Sequence, residues 1–456
     1  MRPTRRLAVL AAATLAPLLL IGAALPAQAV PVSPHVIVPG TWAQTAIPNA
    51  GPGVLSSNYD DVSCVATGFC LAVGGGFSGA ATTPLVSSWN GTTWNATTPM
   101  GAPDAGPNGV SCRSASWCMV VGAQSTGAFA DVVDGNTWTA LTLPSVPGAI
   151  TQLYSVSCTS TTACSAVGDS VVGMSLTPWI VQWDGTSWSA ASLPSGIPAE
   201  GSLNSVSCVP GACQAVGNAG SVGLHLQGTG ATWTSATSPA GVGEYALYSV
   251  SCGSPTSCVT VGSQNNAVSP AGLAQHFDGS SWTTTPVPPA TGGTSETLQS
   301  VDCVGATSCV AVGVWTGTTG NEDLVEAWDG TSWVQQPVQG VGTEDVLSAV
   351  SCAVGASCVA VGSANLFTGQ AVAAPLQRTG YDEVASDGGI FNFGDAPLLG
   401  SMGGTQLNRP VVGIAVTSAG GYYEVASDGG LFNFGAPFLG SMGGSHLNEP
   451  VVAIAS

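Results

Sequence analysis

Residues 298–313 read LQSVDCVGATSCVAVG and, after a variable loop, residues 324–333 read LVEAWDGTSW. The first half of this unit recurs seven times, at Cys64/Cys70, Cys112/Cys118, Cys158/Cys164, Cys208/Cys213, Cys252/Cys258, Cys303/Cys309 and Cys352/Cys358. Successive copies lie 44 to 51 residues apart, the period of one four-stranded propeller blade. Each copy holds four short runs rich in Val, Thr and Trp, bounded by Gly, Pro, Asn and Asp, and such runs read as strands. Asn90-Gly91, Asp134-Gly135, Asp184-Gly185, Asp278-Gly279 and Asp329-Gly330 fall between the third and fourth runs, where such dipeptides predict two-residue hairpin turns. No helical periodicity competes after residue 29, so the repeat is all-β.

A mismatch at the ends predicts how the array is completed. Only six cysteine hairpins are followed by a fourth-strand tryptophan: Trp94, Trp138, Trp188, Trp233, Trp282 and Trp333. The seventh runs through AVAAPLQRTG without one, whereas an orphan, Trp42 in GTWAQTAIP, precedes the first hairpin. The N-terminal run is therefore expected to be the outer strand of the last blade, removing an exposed sheet edge. The expected fold is a seven-bladed β-propeller over residues 36–379, closed by an N-terminal strand, followed by a small β-repeat module over 380–456.

Composition narrows the functional classes. The 456 residues are 45% hydrophobic and 7% charged, with no lysine. Arg2, Arg5 and Arg6 precede the apolar run Leu7–Leu25, and Ala27-Gln28-Ala29 fits a small-residue cleavage rule. Residues 1–29 thus read as a secretory signal peptide, with a retained anchor as the rival reading. Its removal would leave Arg113, Arg378 and Arg409 against 25 acidic residues, about −22 in net charge. Phosphate backbones need Lys or Arg, which argues against nucleic acid or an anionic membrane as partner, and no second membrane-spanning run follows the leader.

In an exported chain, fourteen cysteines at spacing i, i+6 (i, i+5 for Cys208/Cys213) predict seven hairpin disulfides. Each closes a small loop, a contribution of roughly 2 kcal/mol in the chain-entropy treatment. Their expected role is to brace each hairpin. Thiolate metal binding is the rival; no CxxC pair or companion histidine supports it.

Strand order assigns the connections to two faces. The short cysteine loops and Asp-Gly turns share one. The second-to-third and blade-to-blade connections share the other and vary in length, as in GDSVVGMSLTP and GVWTGTTGNED. Variable loops on a rigid scaffold are the usual display for binding. Beyond Gly380, GYDEVASDGGIFNFGDAPLLGSMGG and GYYEVASDGGLFNFGAPFLGSMGG open two copies of a second repeat of about 41 residues, and two units seldom bury a repeat core alone.

These last 77 residues resemble the VASDGG…FGDA…GSMGG…LNxPVVGIA repeats of secreted actinobacterial proteins. The resemblance implies company with cell-wall-directed modules, including peptidoglycan hydrolases, but carries no catalytic residue across. The SxSC…CxAVG…WDGxxW units look like those of uncharacterised secreted proteins from similar bacteria. WDGTSW is also similar to the Asp-box hairpin of sialidases with one residue fewer, while the arginine cluster of that chemistry has no counterpart.

Ten of thirteen tryptophans occupy repeat positions and read as packing residues. Trp117, Trp179 and Trp315 fall outside; Trp315 and Trp179 are the better candidates for a sugar platform, with ordinary loop packing the competing reading. Glu322, Asp323 and Glu326, or Glu344 and Asp345, offer oxygen ligands for Ca²⁺, against a solvated loop. No DxDxDG loop accompanies them, and no cofactor is expected. His225 and His276 are expected at equivalent third-strand positions with a surface role. The favoured reading is a secreted, non-enzymatic propeller, extracellular or bound to the cell wall, that recognises a glycan or protein. The alternative is an extracellular polysaccharide hydrolase or lyase whose acids come from several blades. A structural spacer is third.

Overall fold

The computed structural model describes residues 41–43, 45–47, 56–66, 69–77, 82–96, 105–198, 200–229, 232–239, 245–265, 270–318, 320–339, 345–353, 357–364, 370–377, 381–393, 399–416, 422–436 and 438–454. The expected leader, residues 1–29, lies outside them. Among the described residues no helix is long and apolar enough to cross a membrane.

Every repeat folds as an antiparallel sheet whose strands follow one another in chain order. The seven cysteine pairs are seven cross-strand disulfides: Cys64–Cys70, Cys112–Cys118, Cys158–Cys164, Cys208–Cys213, Cys252–Cys258, Cys303–Cys309 and Cys352–Cys358. Their Cα separations are 3.9–4.1 Å. The second cysteine of each pair stands on a strand covered by both neighbouring sheets. Cys70, Cys118, Cys164, Cys258, Cys309 and Cys358 are at most 3% exposed, so these bridges are part of the apolar layers as well as ties across the hairpin. Cys208 and Cys213 face each other across the shortest turn, and there the ladder continues directly to Val209 opposite Ala212. In the fifth copy the extra residue is absorbed as a register shift between Cys252 and Ser254, which keeps the sulfurs opposed.

Six sheets have four strands. The seventh contains Val346–Ala353, Ser357–Ala364 and Gln370–Gln377, and Thr41–Ala43 pairs with it antiparallel, Trp42 opposite Leu376. Val338–Gln339 adds a parallel partner beyond Thr41–Ala43, and the Trp42 N–H donates to the Pro337 carbonyl over 3.0 Å. The N-terminal run is therefore not the outermost strand.

A bulge in the first strands explains two residues of the repeat. In all seven, the register slips by one residue four positions before the cysteine, as between Leu247 and Ser249. This presses a carbonyl onto the partner strand, where the glycine of CxAVG stands. A Cβ at Gly262 would lie 1.9 Å from the Ala246 oxygen, and at the other six such glycines 2.0–2.1 Å from the equivalent oxygen. No side chain fits there.

The serine before each first cysteine joins neighbouring sheets. The Cys112 N–H donates to Ser63 Oγ, Cys158 to Ser111, Cys208 to Ser157, Cys252 to Ser207 and Cys303 to Ser251, all at 2.9–3.0 Å. Cys352 donates to Asp302 Oδ2 over 2.7 Å, and Cys64 to Ser351 Oγ over 3.0 Å. The core is divided in the same way, into apolar layers between neighbours. Val259, Val261 and Ala274 of the fifth sheet meet Leu298, Cys309, Ala311 and Leu324 of the sixth. Trp42, wholly buried, packs with Val325 and Ala327 of the sixth and with Leu347, Val350 and Cys358 of the seventh. Ala349 and Val361 of the seventh share a layer with Tyr59, Val62 and Cys70 of the first.

The Asp-Gly turns differ from expectation. Trp183 opposes Trp188, so four residues, Asp184 to Ser187, make the turn. Only the glycine takes a positive φ, +96° at Gly185. The Asp184 carboxylate accepts from the backbone N–H groups of Thr186 and Ser187 at 2.8 Å, an Asx turn. Asp278 and Asp329 repeat it, each with its carboxyl held down to about 2 by the same hydroxyl and N–H donors. Among the described turns of this kind, that of the second sheet has the two-residue form, Gly135-Asn136 between Asp134 and Thr137.

In the last segment, Tyr381–Val384 and Ile390–Phe393 form a hairpin. Val411–Val416, Tyr422–Ala426 and Leu431–Phe434 form a three-stranded antiparallel sheet.

Candidate functional site

The sixth sheet gathers the candidate side chains at the end bearing the variable connections. Its strands are Ser295–Gly305, Ser308–Thr316, Asn321–Trp328 and Trp333–Gln335. Trp315 is flanked across the ladder by Glu296 on one strand and Glu322 on the other. Cross-strand neighbours share one face, and this face looks toward the fifth sheet, because Leu298, Ala311 and Leu324 on it pack against Val261 and Ala274. The half-buried indole sits between two glycines. A Cβ at Gly293 would meet Trp315 Cε3 at 3.1 Å, and one at Gly317 would meet Cζ3 at 3.0 Å and Glu322 Oε1 at 2.9 Å. Gly293 belongs to the connection from the fifth sheet and Gly317 to the loop after Trp315. Glu322 is exposed at the rim.

Beneath the ring the seam stays acidic. Glu296 is 7% exposed, and its Oε1 accepts from the Ala290 N–H. Glu326, on the same strand face as Glu322, is fully buried, and among the described residues neither of its oxygens finds a donor. Burial first, and the neighbouring Glu296 carboxyl second, push the Glu326 carboxyl up to about 8. At neutral pH it is a neutral acid.

The structure divides the expected acidic trio. Side chains alternate along a strand, so Asp323 falls on the opposite face with Val325 and Ala327, which pack toward Leu347 of the seventh sheet. Asp323 is buried, as is Asp345, while Glu344 lies outside the described residues. Among the described residues no three His, Cys, Asp or Glu groups come together as a metal cage. The cysteines do not contribute to the site. All fourteen are oxidised, and Cys70, Cys164, Cys309 and Cys358 are buried between sheets with no face turned to a ligand. Trp179 is 6% exposed and packs with Met119, Val121, Leu153 and Cys164 between the second and third sheets, so its ring is a packing element and offers no platform.

The histidines are not equivalent. His225 opposes Val216, one residue before Gly217, whereas His276 opposes Val259, three before Gly262. His225 is 1% exposed, against the expected surface role, with its ring centroid 4.8 Å from that of Trp282. Burial pushes it down to about 4.

Two features are not anticipated from the sequence. The residue at each first-strand bulge is polar in all seven sheets: Asp60, Asn108, Tyr154, Asn204, Tyr248, Gln299 and Ser348, each exposed or half-buried. Asn108 Nδ2 donates to the Leu153 carbonyl and Asn204 Nδ2 to the Leu247 carbonyl, at 2.8 and 2.7 Å, which ties each bulge to the next sheet. Fixed spacing before the cysteine is the signal that could have found them. The second is a recess of about 530 Å³ at the opposite end, between the first and second sheets, lined by Phe69, Leu71, Ser88, Asn136 and Trp138. It opens because Trp138 faces Val133, where Trp94 and Trp188 face Trp89 and Trp183. No titratable side chain lines it.

No family model matches the chain, and no curated protein does. Among solved structures it is similar to YCF48 bound to a D1 peptide, at 12% identity over 75% of this chain and 99% of that one, TM-score 0.48. YCF48 from Cyanidioschyzon merolae gives 15% identity over 74% and 99%, TM-score 0.47. The Aleuria aurantia lectin in complex with α-methyl-L-fucoside gives 12% identity over 63% and 97%, TM-score 0.42. At these scores and identities the likenesses carry no functional weight.

Proposed function

We propose that the chain is a secreted, seven-bladed β-propeller over residues 36–379, completed by its N-terminal strand, that binds an extracellular glycan without chemically altering it. Each sheet is one blade. The architecture is supported by the pairing of Thr41–Ala43 with Gln370–Gln377 and by the Cys64-to-Ser351 hydrogen bond, which repeats between last and first sheets the bond made between all the others. Seven disulfides and the expected leader fit an oxidising, extracellular setting. The resemblance to secreted actinobacterial repeat proteins fits a place at the cell envelope.

The observation that carries the binding reading is the half-exposed Trp315 between Glu296 and Glu322. An indole face stacks on the C–H groups of a pyranose, and the rim carboxylate of Glu322 accepts its hydroxyl hydrogens. Gly293 and Gly317 lie against the ring where a larger side chain would press on it, and the net charge of about −22 left after removal of the leader steers away polyanions in favour of neutral or amino sugars. A protein partner would use the same rim. The hydrolase reading draws on Glu326, a neutral acid beside a second carboxyl, but that group is closed off from solvent and reaches no substrate unless the seam opens.

Two experiments test this. Glycan-array binding by the mature chain, lost in Trp315→Ala and weakened in Glu322→Gln, is the expected result. Binding unchanged in both variants, or polysaccharide turnover lost in Glu326→Gln, would overturn it. For the architecture, Trp42→Ala should cost about 3–5 kcal/mol of stability, as for other fully buried aromatics. An unchanged unfolding midpoint would detach that strand from the last blade.

A further inference from the structure

The two C-terminal repeats contact each other head to tail, and that contact uses a different surface of each. The second repeat's strand Tyr422–Ala426 pairs with Val411–Val416 at the end of the first repeat, Val411 opposite Ala426 and Ile414 opposite Glu424. Glu424 is fully buried beneath the first repeat's Asp-Gly-Gly turn; a Cβ at Gly388 would stand 3.0 Å from its Oε2. The Tyr422 hydroxyl reaches back to the Leu399 N–H and the Gly400 carbonyl of the first repeat. One repeat thus offers a PVVxIA strand and a Gly-Gly turn, and the next supplies a tyrosine–glutamate strand that fits under them.

Each repeat also holds the half of this contact that its neighbour does not use. Tyr381–Val384 pairs only with Ile390–Phe393 among the described residues, and Glu383, the counterpart of Glu424, is exposed. At the other end, Pro450–Ile454 matches Pro410–Ile414, and the Val451 N–H bonds to Ser427 at 3.0 Å as Val411 bonds to Ser386 at 2.9 Å. Among the described residues no Tyr-Glu strand lies on it. Leu439, Met442 and Val452 are 78%, 52% and 79% exposed, while their counterparts Leu399, Met402 and Val412 are half-buried. An exposed strand edge beside exposed apolar side chains is an association surface.

We propose that the two ends join between copies of this chain: Pro450–Ile454 of one copy adds antiparallel to Tyr381–Val384 of a second. The observed pairing sets the register, Val451 opposite Ala385, Ala453 opposite Val384 and Ile454 opposite Glu383. Glu383 of the second copy then lies under the Gly429 turn and Met442 of the first, as Glu424 lies under Gly388 and Met402. The contact is heterologous, so each copy keeps one free end until a ring closes or a filament grows. The occupant is a second copy because the surface that fits each end is present on the same chain and already used once within it.

The test uses the full mature chain in sedimentation velocity over two decades of concentration. Species larger than the monomer should grow with concentration. Glu383→Arg and Met442→Arg, both at exposed sites, should each remain monomeric with unchanged circular dichroism and melting midpoint. Mixed together, the two variants should form a one-to-one dimer and stop, because one retains an intact tail and the other an intact head. A monomeric wild type, self-association of either variant at the wild-type level, or a mixture that stays monomeric would each overturn the proposal.

Discussion

Replacing Gly262 by alanine is the most direct test of how the repeat is built. The new Cβ would stand 1.9 Å from the Ala246 oxygen, 2.9 Å from its carbonyl carbon and 3.1 Å from Leu247 Cα. Ordinary carbon–oxygen contact is no closer than about 3.2 Å, so one strand must retreat by more than 1 Å. Neither can move alone. Cys252 and Cys258 tie the strands at one end, and Leu247, fully buried, is packed on one side of the bulge. Overpacking of side chains costs about 1–3 kcal/mol; backbone against backbone should fall at the top of that range, about 3 kcal/mol. For a cooperative unit of this size that is a loss of about 4 °C in midpoint. The control is Gly305→Ala, where an added Cβ meets nothing within 4 Å and should be neutral or slightly stabilising. The assay is thermal unfolding followed by tryptophan fluorescence, with disulfides intact. Equal midpoints for the two variants would refute the claim that the bulged carbonyl dictates this glycine.

The remaining predictions concern charge. The buried Glu326 carboxyl, raised to about 8, keeps a proton in the folded chain that the unfolded chain releases above about pH 4.3. Stability therefore falls as pH rises from there to about 8, by up to about 1.4 kcal/mol per unit. Glu326→Gln should flatten that slope in denaturant melts, and an unchanged slope contradicts the assignment. Asp302 accepts from Cys352 and Cys303 N–H groups and from Ser251 Oγ. Asp302→Ala should thus cost about 1–3 kcal/mol through an unsatisfied N–H, whereas Asp302→Ser, the residue used at the other six positions, should unfold near the wild type. Asp184, Asp278 and Asp329, held to about 2 by turn hydrogen bonds, should stay ionised in carbon-detected titrations until pH falls well below 3. Midpoints near 4 would mean that the turns open in solution.

The repeat makes most of the fold legible, because its constraints are local and periodic. Cysteine spacing and strand runs each encode a contact between residues at fixed offsets, and the structure honours them; the surplus Trp42 does pair with the last sheet, opposite Leu376, but with Val338–Gln339 outside it. Spacing pairs Cys70, Cys164, Cys309 and Cys358 with their partners, yet their burial between sheets depends on neighbouring copies and is not written in the hairpin itself. The Asp-Gly turns mislead, since the dipeptide alone does not reveal that Thr186 and Ser187 will donate to Asp184 and extend the turn to four residues. The acidic trio misleads for a related reason. Glu322, Asp323 and Glu326 are close in sequence, yet strand alternation sends Asp323 to the other seam. Trp179 falls outside the repeat, but that says nothing about which neighbouring sheet covers a side chain.

The polar residues at the seven bulges and the buried pair Glu296 and Glu326 are where this repeat chain departs from plain packing. Most positions in each copy are held by the same requirements: a glycine under the bulge, a serine to reach the next sheet, small apolar residues between layers. At those positions the sheets other than the sixth are interchangeable. The sixth departs from them repeatedly, with Asp302 in place of serine, Glu296 at the start of its first strand, Trp315 at the end of its second and Glu322 and Glu326 along its third. Burying Glu326 beside Glu296 opposes folding at neutral pH. The equivalent third-strand site is apolar in the third and fourth sheets, Val181 and Leu226, and polar in the first, second and fifth, Ser87, Asp131 and Gln275. Buried polar groups recur at this site in other sheets, and the sixth adds a second buried carboxyl beside it, Glu296, beneath Trp315. The paired carboxyls below Trp315 are why the proposed glycan site is placed at the seam between the fifth and sixth sheets rather than in the recess between the first and second.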